Sequence, residues 1–158
     1  MAEKLPTLHM LIGVSGAGKS TYAKKLLNEN TTIASSDMLR KYLWGDENEQ
    51  KRPAVIFEYM EYEVLKAFAQ GKSIVYDATN LNAERRKQFL DRLRHKFHLN
   101  FKAVCYCFDV PVEMCIARQD KRERKVPEEV IRRQAAQLQR PSFQEGWDSI
   151  KQVTFKQN

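Results

Sequence analysis

Short apolar runs recur along the chain, and most of them end in a glycine or a polar residue. Short runs that are rich in β-branched and aromatic side chains are typical of strands buried inside a sheet. The pattern predicts strands over residues 7–14, 31–35, 73–79, 101–110 and 149–155.

Between these runs, apolar residues recur every three or four positions, which is the spacing of an amphipathic helix. Pro53 near a start, Gly71 after an end and Asn82 as an N-cap fit the preferences of helix termini. Helices are predicted over 19–30, 37–44, 53–70, 83–97, 111–118 and 127–139, and a polar loop over 45–53. The long helix is predicted to bury Tyr59, Met60, Val64, Leu65 and Phe68.

Strands and helices alternate throughout, which favours one fold class. Such alternation is typical of an α/β three-layer sandwich with a central, mostly parallel sheet, here of about five strands. A length of 158 residues indicates a single domain over 1–158.

Composition and charge narrow the choice of partners. The formal net charge is +7, which modestly favours a polyanionic partner. No apolar run approaches the ~20 residues of a membrane span, and the first ten residues lack a secretory pattern, so no membrane partner is expected. Cys105, Cys107 and Cys115 are predicted to be small core residues of a cytoplasmic protein.

Residues 13–20, GVSGAGKS, fit the G-x-x-x-x-G-K-[ST] phosphate-binding pattern between a predicted strand and a predicted helix. Glycines let backbone N–H groups point at phosphate oxygens, and the helix presents its positive end to the same anion. Lys19 is predicted to reach the β- and γ-phosphates of ATP, and the Ser20 hydroxyl to bind Mg²⁺. The predicted nucleotide site comprises Gly13, Ser15, Gly16, Ala17, Gly18, Lys19, Ser20 and Thr21.

Base-reading motifs of the GTPase N-K-x-D type do not occur, so a kinase is favoured, and a kinase needs an acceptor site. Asp37 and Arg40 follow the second predicted strand, and ligands of parallel sheets bind beyond the carboxyl ends of strands. Asp37 either orients an acceptor hydroxyl or only caps the next helix. Arg40 either holds a phosphate of the acceptor or is a surface arginine.

Asp77 ends the third predicted strand at the same edge. It is either a metal ligand of the Walker-B type or the partner of a salt bridge that aims Arg40, and the pattern leaves both open. Asn80 and Asn82 are predicted to turn or cap the chain. The pair Arg85–Arg86 is predicted to be a solvated helix start.

Residues 118–133, RQDKRERKVPEEVIRR, contain seven cationic and four acidic side chains. In P-loop kinases an arginine-bearing helical lid occupies this place. Arg122 is predicted to be a catalytic arginine, and Arg118 to stack on the nucleobase. The alternative for most of these charges is a solvated helix face.

The segments GVSGAGKST, SSDMLR, DATNLNAERR, CFDVP and RQDKRERKVP stand in the order found in 5′-hydroxyl polynucleotide kinases, and the chain resembles that family from about residue 8 to 138. The resemblance implies that Asp37 is the general base and that Arg40 grips the phosphate on the 3′ side of the terminal nucleotide. It also implies that Asp77 orients Arg40 rather than binding metal, and that Arg122 contacts the donor phosphates.

These observations predict Mg²⁺-dependent transfer of the γ-phosphate of ATP to 5′-hydroxyl ends of DNA or RNA. A kinase of a small hydroxyl compound, such as a sugar acid or an antibiotic, is the first alternative, and a nucleotide-binding module without turnover is the second. Enzymes of the resembled family are often fused to a phosphatase, phosphoesterase or ligase. No such domain follows in this sequence, so the protein is expected to act alone or to be one domain of an end-healing assembly.

Overall fold

The computed structural model describes residues 4–46, 52–123 and 125–154. Its strands are β1 (Thr7–Ile12), β2 (Thr31–Ser35), β3 (Ser73–Asp77), β4 (Lys102–Asp109) and β5 (Ser149–Thr154). Its α-helices are α1 (Lys19–Leu26), α2 (Ser36–Trp44), α3 (Pro53–Ala69), α4 (Ala83–Asp91), α5 (Val112–Ala117) and α6 (Glu128–Gln137). Shorter turns of π or 3₁₀ type cover Arg92–Lys96, Arg118–Lys121 and Phe143–Glu145. The predicted loop, lid and last strand each include positions outside the described residues, namely 47–51, 124 and 155.

The five strands form one parallel sheet in the order β2-β3-β1-β4-β5. Asp77, the last residue of β3, pairs with Ser35 of β2 on one side and with Leu11 of β1 on the other. The carboxyl ends of these three strands therefore lie side by side, and the segments that follow them meet at one edge of the sheet. The predicted α/β sandwich with a parallel five-stranded sheet is confirmed.

Side chains of β1 alternate between two hydrophobic cores, one on each face of the sheet. Leu8, Met10 and Ile12 pack beneath α3 and α4, whereas Leu11 packs beneath α1, α5 and α6. Successive strand residues point to opposite faces, and each fully buried aliphatic side chain contributes roughly 1.5–3 kcal/mol. The two cores clamp the sheet between helices and hold its carboxyl edge in place.

The three cysteines are free and buried, as predicted for small core residues. Burial raises the pKa of the Cys105 thiol to about 12, so this side chain stays neutral inside the core. None of the helices in the described part of the chain combines the length and apolarity that crossing a membrane requires.

The helix after β2 begins at an N-cap residue, Ser35, that was not predicted. The Ser35 hydroxyl accepts a hydrogen bond from the Met38 N–H at 3.3 Å, which satisfies one of the unpaired donors of the first turn. Asp37 lies inside that turn, so it is not the N-cap residue of this helix. At α4 the prediction is confirmed, because the Asn82 side chain accepts from the Arg85 N–H at 2.9 Å.

Two predicted helices are shorter than expected. The helix predicted over 19–30 ends early because Asn28 and Thr31 pair in an isolated antiparallel bridge. The helix predicted over 83–97 changes after Asp91 to a turn of π type.

The long helix α3 buries most of its predicted face. Met60 and Val64 are fully buried, and Leu65 and Phe68 pack against the core. The prediction is wrong for Tyr59, which is 46% exposed. This residue lies about 100° around the helix from Met60 and therefore faces solvent.

A buried arginine joins α4 to the segment before β5. Arg86 is 2% exposed, and its Nε donates to Glu145 Oε1 at 2.7 Å. Its two terminal nitrogens donate to the carbonyl oxygens of Asn80 and Gln139 at 2.7 and 2.8 Å. The Trp147 indole donates to the same carboxylate at 3.0 Å. One guanidinium thus connects α4 and the turn before it to the segment 139–145, which lies more than 50 positions away in sequence.

The prediction of a solvated helix start is therefore wrong for Arg86, although its neighbour Arg85 is exposed. Burial alone would raise the pKa of Glu145, but hydrogen bonds from Arg86 and Trp147 bring it below its ordinary value. The pair is an ionised, hydrogen-bonded unit whose members depend on each other.

Arg86→Met should destabilise the protein by about 3 kcal/mol or more, because it leaves the Glu145 carboxylate buried without its counter-charge. Arg85→Met, the matched change one residue earlier, should cost less than about 0.5 kcal/mol. Urea denaturation of both variants measures the two free energies of unfolding. Equal losses would show that the buried pair is not a special source of stability.

Candidate functional site

A cleft of about 600 Å³ opens at the edge of the sheet where β1, β2 and β3 end. With the exception of Gly13, every predicted site residue lines it: Ser15, Gly16, Ala17, Gly18, Lys19, Ser20, Thr21, Asp37, Arg40, Asp77, Arg118 and Arg122. Gly13 lies just behind the cleft wall, where its N–H donates to the Thr79 carbonyl at 3.0 Å. The fold therefore brings the predicted donor and acceptor residues into one space.

Lys19 begins α1 and places its ammonium group at the centre of the phosphate-binding loop. Its Nζ donates to the carbonyl oxygens of Gly13 and Val14, both at 2.8 Å. Burial lowers the pKa of Lys19 to about 8, while the nearby carboxylates of Asp77 and Asp37 oppose that shift. A buried cation in a glycine-rich loop at the start of a helix is an anion-binding arrangement.

Gly16 occupies the tightest position of the loop. Its φ is +85°, and a Cβ there would lie 2.6 Å from both the Cys115 carbonyl oxygen and the Gln119 side-chain nitrogen. The Arg118 guanidinium also donates to the Gly16 carbonyl at 2.9 Å. Gly16 is therefore required for two reasons, its left-handed backbone conformation and its close packing against α5.

Ser20 and Asp77 are joined at the end of β3. The Ser20 hydroxyl donates to Asp77 Oδ2 at 3.1 Å. Burial raises the pKa of Asp77, whereas Lys19 and the bond from Ser20 act to lower it. A hydroxyl and a carboxylate oxygen are ligands that suit Mg²⁺, which usually completes its shell with phosphates and water. These two residues would hold the metal, and the role of Asp77 in aiming Arg40 stays a prediction.

Asp37 and Arg40 project into the cleft from the first turns of α2. Arg40 Nη1 lies 3.5 Å from Asp37 Oδ1, and the side chain of Asp37 is 41% exposed against 10% for Arg40. The carboxylate is thus open to an incoming group, while the guanidinium is held in the cleft wall. Together they offer an acceptor for a hydroxyl proton and a binding site for an anion.

The lid segment contributes two arginines to the cleft. Arg118 begins its 3₁₀ turn, and Arg122 follows the turn directly. Arg122 is close enough to act electrostatically on Lys19, whose pKa it helps to lower. Arg132 instead pairs with Glu113 and Glu128 at 2.8 and 2.7 Å, and its side chain is 46% exposed. The lid thus supplies two of the arginines that line the cleft, and it also has a solvated charged face.

Several residues that line the cleft were not predicted, among them Phe57, Thr79 and Gln134. Gln134 on α6 accepts a hydrogen bond from the Ser15 N–H at 2.9 Å, across 119 positions of sequence. A single glutamine in a charged helix gives no signal for such a contact. Phe57 carried a weak signal, because it lies at the margin of the apolar face of α3.

Comparison with known proteins places the chain among P-loop kinases. Residues 8–141 match a family model described as an AAA domain, AAA_33. The chain is 30% identical over 140 residues to a "putative bifunctional polynucleotide kinase/RNA ligase" of Autographa californica nuclear polyhedrosis virus, covering 78% of this chain and 20% of the viral protein. It is 24% identical over 149 residues to an L-seryl-tRNA(Sec) kinase of Methanococcus maripaludis, covering 89% of this chain and 56% of that enzyme.

A solved structure of a Pnkp1/Rnl/Hen1 RNA repair complex contains a similar fold. The TM-score is 0.69 at 24% identity, covering 87% of this chain and 45% of the matched chain. The chain thus spans between a fifth and just over half of the length of these relatives.

Gly16→Ala should weaken ATP binding at least tenfold, because the added methyl group would push the loop away from α5. Gly71→Ala is the matched control, since Gly71 also has a positive φ, +71°, but nothing lies within 4 Å of its added Cβ. That control should cost about 1–2 kcal/mol of stability from backbone strain alone and leave ATP affinity within twofold. Isothermal titration calorimetry with ATP and thermal unfolding separate the two effects. Unchanged ATP affinity in Gly16→Ala would contradict the packing argument.

Proposed function

We propose that the chain transfers the γ-phosphate of ATP to the 5′-hydroxyl end of a nucleic acid. It belongs to the AAA domain family AAA_33 and is a P-loop kinase-type domain. One observation carries the proposal. A carboxylate and a guanidinium from α2, those of Asp37 and Arg40, line the same cleft as the phosphate-binding loop.

Asp37 is the general base in this proposal. Its exposed carboxylate accepts a hydrogen bond from the 5′-hydroxyl and takes the proton as the oxygen attacks the γ-phosphorus in line. Arg40 binds the phosphate on the 3′ side of the same nucleotide, which fixes the sugar with its hydroxyl towards Asp37. The bond between the γ-phosphorus and the bridging oxygen then breaks, and ADP leaves.

Positive charge from several elements compensates the transferred phosphoryl group. Lys19 reaches the β- and γ-phosphates from the loop, and Arg122 approaches from the lid, with Arg118 beside the nucleobase. Ser20 and Asp77 would hold Mg²⁺, which would supply charge neutralisation at the phosphate oxygens.

The viral relative supports a nucleic-acid end as acceptor, because its described activities include a polynucleotide kinase. The net charge of +7 points the same way. A second candidate is transfer to a hydroxyl carried by an aminoacyl-tRNA, since the seryl-tRNA kinase matches 89% of this chain. Under that candidate Arg40 binds a different anion of the RNA. An end-healing partner or fused domain, such as a ligase, also belongs to the proposal.

Wild-type protein incubated with γ-labelled ATP, Mg²⁺ and a 5′-hydroxyl oligonucleotide should place label on the oligonucleotide. Asp37→Asn should lower that rate about 100-fold or more through loss of the base, with ATP affinity within twofold. Asp91→Asn on α4, an exposed carboxylate remote from the cleft, is the matched control and should retain the full rate.

Three outcomes would contradict the proposal. Label on seryl-tRNA and none on oligonucleotides would establish the second candidate. Label on a sugar acid, with none on any RNA or DNA, would establish a small-molecule kinase. Nucleotide binding without transfer to any acceptor would leave a binding module.

Arg40→Lys should raise the KM for a nucleoside 3′-phosphate acceptor at least tenfold, because a lysine cannot form two parallel hydrogen bonds to the phosphate. The KM for ATP should stay within twofold. The matched control is an acceptor that lacks the 3′-phosphate. Its KM should be the same for Arg40→Lys as for the wild type. An equal rise of both KM values would assign Arg40 to the donor side or to folding.

A further inference from the structure

Phe57 is one of three aromatic residues that line the cleft in the described part of the chain, and it is the most exposed of them at 39%. Of the other two, Phe108 is 4% exposed and Tyr22 is half-buried against the Phe108 ring. Phe57 lies on the second turn of α3, and α3 packs against α2, the helix that carries Asp37 and Arg40. Two other exposed aromatic residues of α3, Tyr59 and Tyr62, are not among the described residues that line the cleft. Phe57 is therefore distinguished by its position and not by exposure alone.

The chemistry of a phenyl ring limits what it can recognise. The ring has no hydrogen-bonding group, so it gains little from the hydroxyls of a sugar acid or from a carboxylate. Its flat apolar face suits another flat π system, and stacking of a base on an aromatic side chain tolerates every base. An exposed ring beside a carboxylate and a guanidinium fits an acceptor that combines a base, a hydroxyl and a phosphate.

We infer that Phe57 forms a nucleobase subsite on which the 5′-terminal base of the acceptor strand stacks. The inference rests on the proposed function and adds the third recognition element to it. Asp37 meets the hydroxyl, Arg40 meets the phosphate, and Phe57 meets the base of one terminal nucleotide. The subsite accepts any base, so it selects nucleic-acid ends over other alcohols without selecting a sequence.

The packing of α3 explains how the ring is held. Ile56 and Met60, on either side of Phe57 in sequence, are fully buried in the core beneath the sheet. Pro53 begins the helix, which restricts its first turn. The helix is thus anchored by its buried face, and the ring at the margin of that face stays at the cleft wall.

A thermodynamic cycle tests the subsite. Two 5′-hydroxyl oligonucleotides are compared, identical except that one has an abasic 5′-terminal sugar, with wild type, Phe57→Ala and Phe57→Tyr. Wild type should phosphorylate the base-bearing strand with a kcat/KM at least tenfold above that for the abasic strand. Phe57→Ala should lose that tenfold on the base-bearing strand only, and Phe57→Tyr should retain it.

The controls separate base recognition from general damage. Tyr62→Ala removes an exposed aromatic from the same helix away from the cleft and should leave both values unchanged. The KM for ATP should stay within twofold in every variant, and thermal unfolding identifies any variant that fails to fold. If Phe57→Ala is unstable, Phe57→Tyr and the preference of wild type for the base-bearing strand still decide.

Three results would overturn the inference. Equal rates of wild type on both strands, or equal losses of Phe57→Ala on both strands, would refute the subsite while leaving 5′-hydroxyl transfer intact. Phosphorylation of a sugar acid or of seryl-tRNA, with none on either oligonucleotide, would refute the proposed function and the subsite together.

Discussion

A guanidinium that is removed from water must find partners for its donors inside the protein, and Arg86 does so by joining the turn before α4 to the distant segment 139–145. One of its contacts is the carbonyl of Asn80, a residue in the left-handed region with φ 51°. The Asn80 side chain in turn donates to the Leu11 carbonyl at 2.6 Å, near the end of β1. The neighbouring carbonyl of Thr79 accepts from Gly13, the first residue of the phosphate-binding loop. The start of that loop is therefore tied to a buried ion pair, and the position of the loop depends on the whole network.

In the cleft beside this network, the cost of burying charged groups is balanced by attraction between opposite charges. Lys19 is buried, which disfavours its charge, while the carboxylates of Asp77 and Asp37 favour it. The opposite holds for the negative charge of Asp77. Burial disfavours this charge, while Lys19 and the hydrogen bond from Ser20 favour it. A site of this kind holds opposite charges close together with little water, so electrostatic interactions in it are stronger than at an open surface. Such preorganised charges are what phosphoryl transfer requires, because positioning and charge compensation provide most of its catalysis.

The contrast between prediction and structure follows from the range of the interactions involved. The strands and the phosphate-binding loop depend on local pattern, so the sequence was sufficient to predict the sheet and the place of Lys19 and Ser20 between β1 and α1. Arg86 was misjudged because its partner Glu145 lies 59 positions away, and charged residues at a helix start are ordinarily solvated. Gln134 escaped notice for the same reason. Tyr59 was misplaced because an aromatic residue one position from the buried stripe resembles a core residue in sequence.

The donor and acceptor halves of the cleft differ in how their specificity arises. In the proposed function the donor half is built mainly from one continuous segment, whose backbone amides and lysine suit any nucleoside triphosphate, and the lid adds Arg118 and Arg122. The acceptor half combines side chains from α2 and α3, which meet only because β2 and β3 are neighbours in the sheet. Its shape can therefore change by substitution on two helices without disturbing the donor half, and this explains how kinases with unlike acceptors share one fold. The identity of the acceptor must follow from the chemistry of those few side chains, and we propose that the Asp37 carboxylate, the Arg40 guanidinium and the Phe57 ring match the hydroxyl, phosphate and nucleobase of a single nucleotide.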